Sequence, residues 1–277
     1  MTRRRSSIYM IVLSNIASLV LPAIVFVPLE RLFAARPSQP VFRRAWFTDV
    51  AYLIVNRPII QFGLVGVIVT LTMAARGLVP ASFQAVLAGQ PVWLQVIQIL
   101  LLADLGFYIT HRMFHTVPAL WRFHAIHHSI EDLDWLAAAR VHPIDQILTK
   151  AISLLPLFIA GYSDKALAVF TFLYFWHSFL LHSNVKLSLG PLNHVIATPR
   201  FHHWHHANDR LERNRNFAAQ LSLFDRLFGT YYLPSDRTPT RFGVDDPVPG
   251  TYLRNLGYPL FPRYVSSDDT RRSIVTS

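Results

Sequence analysis

The feature that most constrains this chain is a series of apolar runs long enough to cross a bilayer, whose hydrocarbon core of roughly 30 Å takes about 20 helical residues. The first, Ile8 to Val27, follows Arg3, Arg4 and Arg5. A signal peptide is the other reading of such a segment. Here the run contains Pro22, continues through Pro28 into Glu30-Arg31-Leu32-Phe33 and lacks a clear small-x-small cleavage site, so an anchor is preferred. A second run, Ile59 to Ala75, is parted from an apolar lead-in, Val50 to Val55, by Asn56-Arg57-Pro58, which reads as a kink or an interfacial turn. A third, Val92 to Thr110, is interrupted only by Gln95, Gln98 and Asp104. Two shorter runs, Ile144 to Ala160 and Ala166 to Leu181, carry Pro156 and His177 and read as spans or as helices half-sunk in the interface. Composition points the same way, since 52% of the 277 residues are hydrophobic and only 15% charged, against about 25% charged in a soluble domain. The expected fold is all-α, an integral membrane helical bundle.

Loop charges suggest its orientation. Residues 76 to 91 hold one basic residue, Arg76, whereas Arg31, Arg36, Arg43 and Arg44 lie before this hairpin and Arg112, Arg122, Arg140 and Lys150 after it. By the positive-inside rule the hairpin tip is outside and the region beyond residue 110 is cytoplasmic. The N-terminal triple arginine does not fit if the first run spans simply, so that run is re-entrant or paired, or one span is miscounted. After Phe228 the apolar periodicity ends in a tail rich in Pro, Asp, Arg and Ser, expected to hold little regular structure.

All 13 histidines fall between His111 and His206. Asp104, Tyr108, His111 and His115 follow steps of four, three and four and so share one helical face. The spacing of His124, His127 and His128 aligns those rings likewise if the segment is helical, and it recurs as His202, His205 and His206, leaving His203 to point elsewhere. His177 and His182 are five apart, roughly 140° around a regular helix. They serve the same site only through a local distortion such as a π-bulge, or else serve different ions. A lone histidine is more often a hydrogen-bonded core or surface residue than a ligand, a reading that suits His194, His203 and, less strongly, His142. It fails for the boxes, because so many buried imidazoles need partners or metal.

Imidazole suits Zn, Cu, Fe and Ni, and about ten imidazoles exceed what one ion of four to six ligands can use, so two ions are implied. The chain has no cysteine, only Glu30, Glu131 and Glu212 as glutamates, no Glu-x-x-His and no His-Glu-x-x-His. Thiolate zinc, Fe–S, ferritin-type carboxylate and zincin sites are thereby excluded. Asp104, Asp145, Asn184 and Asp225 are candidates to hold the rings from behind.

These residues resemble the sterol desaturase and fatty acid hydroxylase superfamily. The resemblance rests on His-Arg-x-x-His (111 to 115), Leu-Trp-Arg-Phe-His-x-x-His-His (120 to 128), Arg-x-His-Pro (140 to 143), His-x-x-x-x-His-Ser-Asn (177 to 184), Thr-Pro-Arg-Phe-His-x-x-His-His (198 to 206) and Asp-Arg-Leu-Phe-Gly-Thr-Tyr (225 to 231). Asn193-His194 and Phe217-Ala218 depart from it. The resemblance implies a membrane-bound, non-haem di-iron enzyme that uses O₂ to hydroxylate or desaturate a lipid. Its ligands would be His111, His115, His124, His127, His128, His182, His202, His205 and His206, with His177 as a tenth. His142 matches a family position that would support them from behind, beside the candidates Asp104, Asn184 and Asp225 named above. The implied organisation is membrane-anchoring helices over 1–90, a catalytic domain with a cytosolic histidine-rich cap holding a di-metal site over 91–232, and a loop-rich tail over 233–277.

Phe107, Phe114, Trp121 and Phe123 are candidates for an apolar wall of the substrate site. Two electrons per turnover must come from a separate donor, a ferredoxin or cytochrome b5 with its reductase, since no cysteine cluster or Gly-x-Gly-x-x-Gly is present. The basic set Arg200, Arg210, Arg213, Arg215 and Arg226 can dock an acidic donor or rest on anionic headgroups, the preferred reading; nucleic acid is a poor third. Two other function classes carry less weight, a zinc-dependent membrane hydrolase and a non-enzymatic membrane metal-binding protein.

Overall fold

The computed structural model describes residues 2–75, 77–208 and 214–261, with 2–13 as backbone only. Arg76, Arg210, Glu212, Arg213 and the tail beyond residue 261 lie outside the described residues, as do the side chains of Arg3, Arg4 and Arg5. The described chain is helical and carries no strand, only an isolated antiparallel bridge between Ala34 and Val185.

Helix α1 (Thr2–Leu32) passes through Pro22 and Pro28 without a break. Helix α2 (Trp46–Ala51) continues through a π-helical turn, Tyr52–Asn56, into α3 (Arg57–Ala74). The expected break at Asn56-Arg57-Pro58 is therefore a widened turn inside one apolar rod. Pro58 cannot donate a backbone hydrogen bond, so the helix absorbs it by loosening its ladder rather than ending. Asn56 is held on the inner side, donating to the Val141 carbonyl at 2.7 Å and accepting from the Tyr252 hydroxyl at 2.8 Å.

After the short α4 (Ala81–Ala88) come α5 (Val92–Thr116), which outruns its apolar stretch to carry the first two box histidines, and α6 (Pro118–His128). Helix α7 (Pro143–Ala160) and α8 (Asp164–His182) follow, then the short α9 (Pro199–His205), α10 (Leu223–Leu227) and α11 (Tyr252–Gly257). The last lies in the tail expected to be irregular, where Tyr258 and Leu256 also offer carbonyls to Arg122 and His142 of the histidine region.

Four segments among the described residues are long and apolar enough to cross a membrane: Ser14–Leu32, Trp46–Ala74, Val92–Thr116 and Pro143–Ala160. Only 22 to 33% of each such window is buried, and Ile24, Phe62, Met73 and Trp93 stand more than 60% exposed. Apolar rods that leave their apolar faces bare match a hydrocarbon surround.

The polar interruptions of α5 have inward tasks. Gln95 donates to the Ala88 and Gln90 carbonyls and accepts from the amide and hydroxyl of Ser163, closing two helix connections at once. Gly106 lets α5 and α7 touch: a Cβ there would lie 2.9 Å from Ser153 Cα. Ile99 and Ala103 of α5 then pack with Leu157 of α7 and Phe170 of α8. This close crossing sets the ends of α5 and α7 side by side, with His111 on one and Asp145 on the other.

Candidate metal centre

Nine of the expected ligands converge as two groups. His111 and His115 from α5, His124 and His128 from α6 and His205 from α9 form the first; His127 from α6, His182 from α8 and His202 and His206 from α9 and its end form the second. Within each group the ligating atoms lie within 4.8 Å of one another. Only His115 is less than fully buried.

Helical geometry explains the division. Residues four apart differ by about 40° around an α-helix, whereas three apart differ by about 60° in the opposite sense. The four-step pairs His111/His115, His124/His128 and His202/His206 therefore each stay together, while His127 and His205 turn to the neighbouring group. The rings that the spacing aligns on one face are thus shared between two centres, which abut where His128 stacks on His206 at 4.4 Å.

The rings are oriented from behind. His111 Nδ1 donates to the Phe217 carbonyl at 2.6 Å, His127 Nδ1 to Arg140 at 3.1 Å, His182 Nδ1 to Ser178 at 2.9 Å and His205 Nδ1 to Arg215 at 2.9 Å. A carbonyl only accepts, so each Nδ1 carries the proton and each Nε2 presents a bare lone pair. Two of those Nε2 atoms, of His127 and His182, face each other at 3.1 Å, while His111 Nε2 lies 2.9 Å from His124 Nε2 and His205 Nε2 3.1 Å from His128 Nε2. Lone pairs so opposed, in a buried place, repel unless a cation lies among them, which is the test that a metal fits these residues. His115 Nε2, His202 Nδ1 and His206 Nδ1 are buried with no hydrogen-bond partner. Burial first, then the neighbouring rings, hold His124, His128, His202 and His206 well below the usual 6.5, so the neutral, ligating form prevails.

His177 joins neither group. Helix α8 is a regular α-helix to His182 with no π-bulge, and His177 Nε2 faces the Ala197 carbonyl at 3.0 Å. His203 turns away to the Ser183 carbonyl at 3.1 Å, and His194 lies beside Tyr231, ring centroids 5.5 Å apart.

The expected supporting residues act at different removes. Asp145 alone touches a ligand ring, meeting His124 Nδ1 at 2.8 Å. Asp104 accepts the amides of Ala219, Gln220 and Leu221, and Asp225 accepts those of Phe217 and Ala218. Together they fix the stretch of backbone whose Phe217 carbonyl holds His111. Asn184 is paired with the Arg36 backbone through both its side-chain ends, just beyond His182. His142 instead caps α7, accepting from the Ile144 amide at 3.2 Å, with Nε2 3.3 Å from the Leu256 carbonyl.

Sequence reasoning missed the backbone acceptors, which no residue type signals, and two buried anchors. Glu30 of α1 accepts the amides of Trp135 and Asn184 at 2.8 and 2.9 Å. Asp49 binds both Arg43 and Arg140, and Arg43 also binds Asp134, each Arg43 contact at 2.6 Å. This buried network fixes Arg140, whose carbonyl holds His127.

Two cavities that share no lining residue meet the centre. An apolar one of 80 Å³ touches both groups, at His111, His124, His127, His182 and His202, with Phe107 in its wall. The other, 280 Å³, reaches His115, His128 and His205 and is lined by Trp121, Asp245 and Asp246. Of the four aromatics expected in an apolar wall, only Phe107 lines the first cavity; Phe114 packs behind His124 and Phe123 against His142.

Fold and centre together define a membrane-type helical protein with a paired, all-imidazole metal site. Residues 96–230, just under half of the chain, match the fatty acid hydroxylase family. It is 35% identical over 173 residues to ornithine lipid hydroxylase OlsE of Rhizobium tropici, covering 61% of this chain and 51% of that protein. It is 35% identical over 148 residues to human alkylglycerol monooxygenase, covering 52% of this chain and 32% of the relative. A Delta(7)-sterol 5(6)-desaturase of Saccharomyces cerevisiae is 30% identical over 134 residues, 48% of this chain and 34% of that protein. The alignments thus span 32 to 51% of the length of these relatives. No solved structure matches the chain.

Proposed function

We propose that this protein is a membrane-bound, non-haem di-iron oxidoreductase that uses O₂ and external electrons to hydroxylate or desaturate a lipid. The observation that carries the reading is the pair of imidazole groups, bare nitrogens inward, opening on an apolar cavity. His111, His115, His124, His128 and His205 would hold one ion and His127, His182, His202 and His206 the other. Relatives named hydroxylase, monooxygenase and desaturase favour iron over zinc. Two iron ions, when held there, would supply the redox chemistry for reducing O₂ and oxidising a C–H bond. The chain's part is to keep nine rings neutral and oriented, to exclude water with Phe107 and Leu181, and to place an alkyl segment against the histidines.

The histidine side faces the cytoplasm, and a ferredoxin or cytochrome b5 delivers the electrons. Of the basic set, Arg200 donates to the Pro234 and Arg237 carbonyls and Arg215 to the Gly229 carbonyl, while Arg226 is exposed and free to meet headgroups. The test is to compare lipid extracts of cells with and without the active gene, beside metal analysis of the purified protein. A lipid species gaining one oxygen or losing two hydrogens, with iron bound, is expected. Zinc in place of iron, with activity persisting without O₂, would show a hydrolase instead.

A further inference from the structure

Lys150 sits on α7, seven residues beyond its first residue, Pro143, about 10 Å along the axis. It lines the 80 Å³ histidine chamber and also a second, outer cavity of 400 Å³. The two share Ala138, Gln146, Tyr174 and Ser178 as well, so Lys150 stands at their junction. The outer cavity runs between α1, α3, α7 and α8, with Leu53, Ile60 and Phe175 in its wall.

Lys150 makes no ion pair or hydrogen bond with any described residue. Arg57, of like sign, lines the same outer cavity and donates one hydrogen bond, to the Ser14 carbonyl. No aspartate or glutamate lines that cavity, and the carboxylate of the inner chamber, Asp145, is engaged by His124 Nδ1 and the Thr149 hydroxyl. A lysine on a membrane helix ordinarily snorkels outward to the headgroups; this one is half-buried and turned into the protein. Unpaired cations within a span are costly and mark a substrate path. What would neutralise them is a negative charge brought by the substrate.

The chamber beyond Lys150 is small. Its 80 Å³ is room for about five to eight water-sized groups. Whatever passes Lys150 to reach the histidines is therefore short, while an apolar chain is left in the larger cavity.

We propose that Lys150, with Arg57, reads an anionic group of the lipid substrate, a carboxylate or a phosphate, and that oxidation falls within a few bonds of that group. The proposal rests on the oxidative reading of the histidine chamber for its second half only; anion selection is a property of the cavity.

The test uses the purified full chain in neutral dodecyl maltoside micelles, with binding of dodecyl phosphate, N-dodecanoylglycine and uncharged 1-O-dodecylglycerol followed by native mass spectrometry. At least one anionic amphiphile is expected to bind about tenfold more tightly than the neutral one, the tighter of the two anions naming the headgroup chemistry. Lys150→Met should erase that preference, Lys150→Arg should keep it within about threefold, and neither should change binding of the neutral amphiphile. Equal binding of anionic and neutral amphiphiles by the wild type, or an unchanged preference in Lys150→Met, overturns the proposal. If Lys150→Met does not fold, Lys150→Gln and the wild-type comparison decide it. Binding is read without turnover, so an anionic preference in a protein that oxidises no lipid would sink the oxidative reading and leave the anion site standing.

Discussion

His127 and His182 face each other through Nε2 atoms 3.1 Å apart, while each commits its Nδ1 proton to a carbonyl, of Arg140 and of Ser178. Neither ring has a proton left to share across that gap. The contact is a prepared ligand pair, with its tautomers set by backbone positions that lie far apart in the chain.

Removing a ring from either group should therefore empty that group. His127→Ala and His205→Ala are each expected to abolish turnover and to lower bound iron by about half or more, since each centre depends on its full set of imidazoles, with membrane insertion intact. Wild-type activity in either variant would end the assignment. His177→Ala should leave bound iron unchanged, because its Nε2 is engaged by the Ala197 carbonyl; metal analysis of the three variants separates these outcomes.

Among the described residues, Asp145 is the one carboxylate hydrogen-bonded to a ligating ring, at His124 Nδ1. Asp145→Ala should weaken metal binding or activity by about 10 to 100-fold, the usual effect of losing such a partner. Chelator competition on the purified variant reads this directly, and an unchanged affinity would show that His124 needs no orienting acceptor.

Acid should destabilise the metal-free protein. Burial holds His128, His202 and His206 well below 6.5 and pushes His203 down to about 3. Below pH 6.5 the unfolded chain takes up protons that the folded one refuses, so stability falls as pH drops from 6.5 towards those lower values. Metal binding weakens in the same direction, because protons compete for the same nitrogens. Thermal unfolding of the chelated protein from pH 8 to pH 5 (on the order of three units around the histidine range) should show a flat upper limb and a decline below about 6.5; a rise towards acid would contradict buried neutral rings.

The Arg43, Asp49, Asp134 and Arg140 network has side chains almost wholly buried. Asp49→Ala leaves two guanidiniums short of their partner and should cost about 3 to 5 kcal/mol. Because Arg140 also holds His127 through its carbonyl, the same variant should loosen iron in the four-histidine group first. Chemical denaturation together with metal analysis checks both effects.

Gly106→Val should separate α5 from α7. Its Cβ would lie 2.9 Å from Ser153 Cα, a backbone atom that cannot swing aside. Overpacking of this kind costs about 1 to 3 kcal/mol, and a loss of iron with it would show that the crossing sets the distance between His111 and Asp145.

Much of this protein is legible in its one-dimensional pattern. Apolar runs of bilayer length determine helices, because span length and apolarity are local properties of a segment. The steps of three and four between histidines determine which rings share a helical face, because helix pitch is also local. The four-step rule even foretells the pairs His111/His115 and His124/His128, whereas how His124, His127 and His128 divide between two centres depends on where α8 and α9 stand. That placement is tertiary. So are the carbonyls of Phe217, Arg140, Ser178 and Arg215 that set the tautomers, for every residue has a carbonyl and only the fold selects which ones face a ring. Asp104 reads from its spacing as a partner of the histidines beside it, yet the folded chain gives it the amides of residues 219 to 221 instead. Sequence determined the rods and the ligand types, whose causes lie within a few residues. The tertiary structure decided which nitrogens meet, which carboxylate stands behind them and where Lys150 faces, because those depend on segments brought together from across the chain.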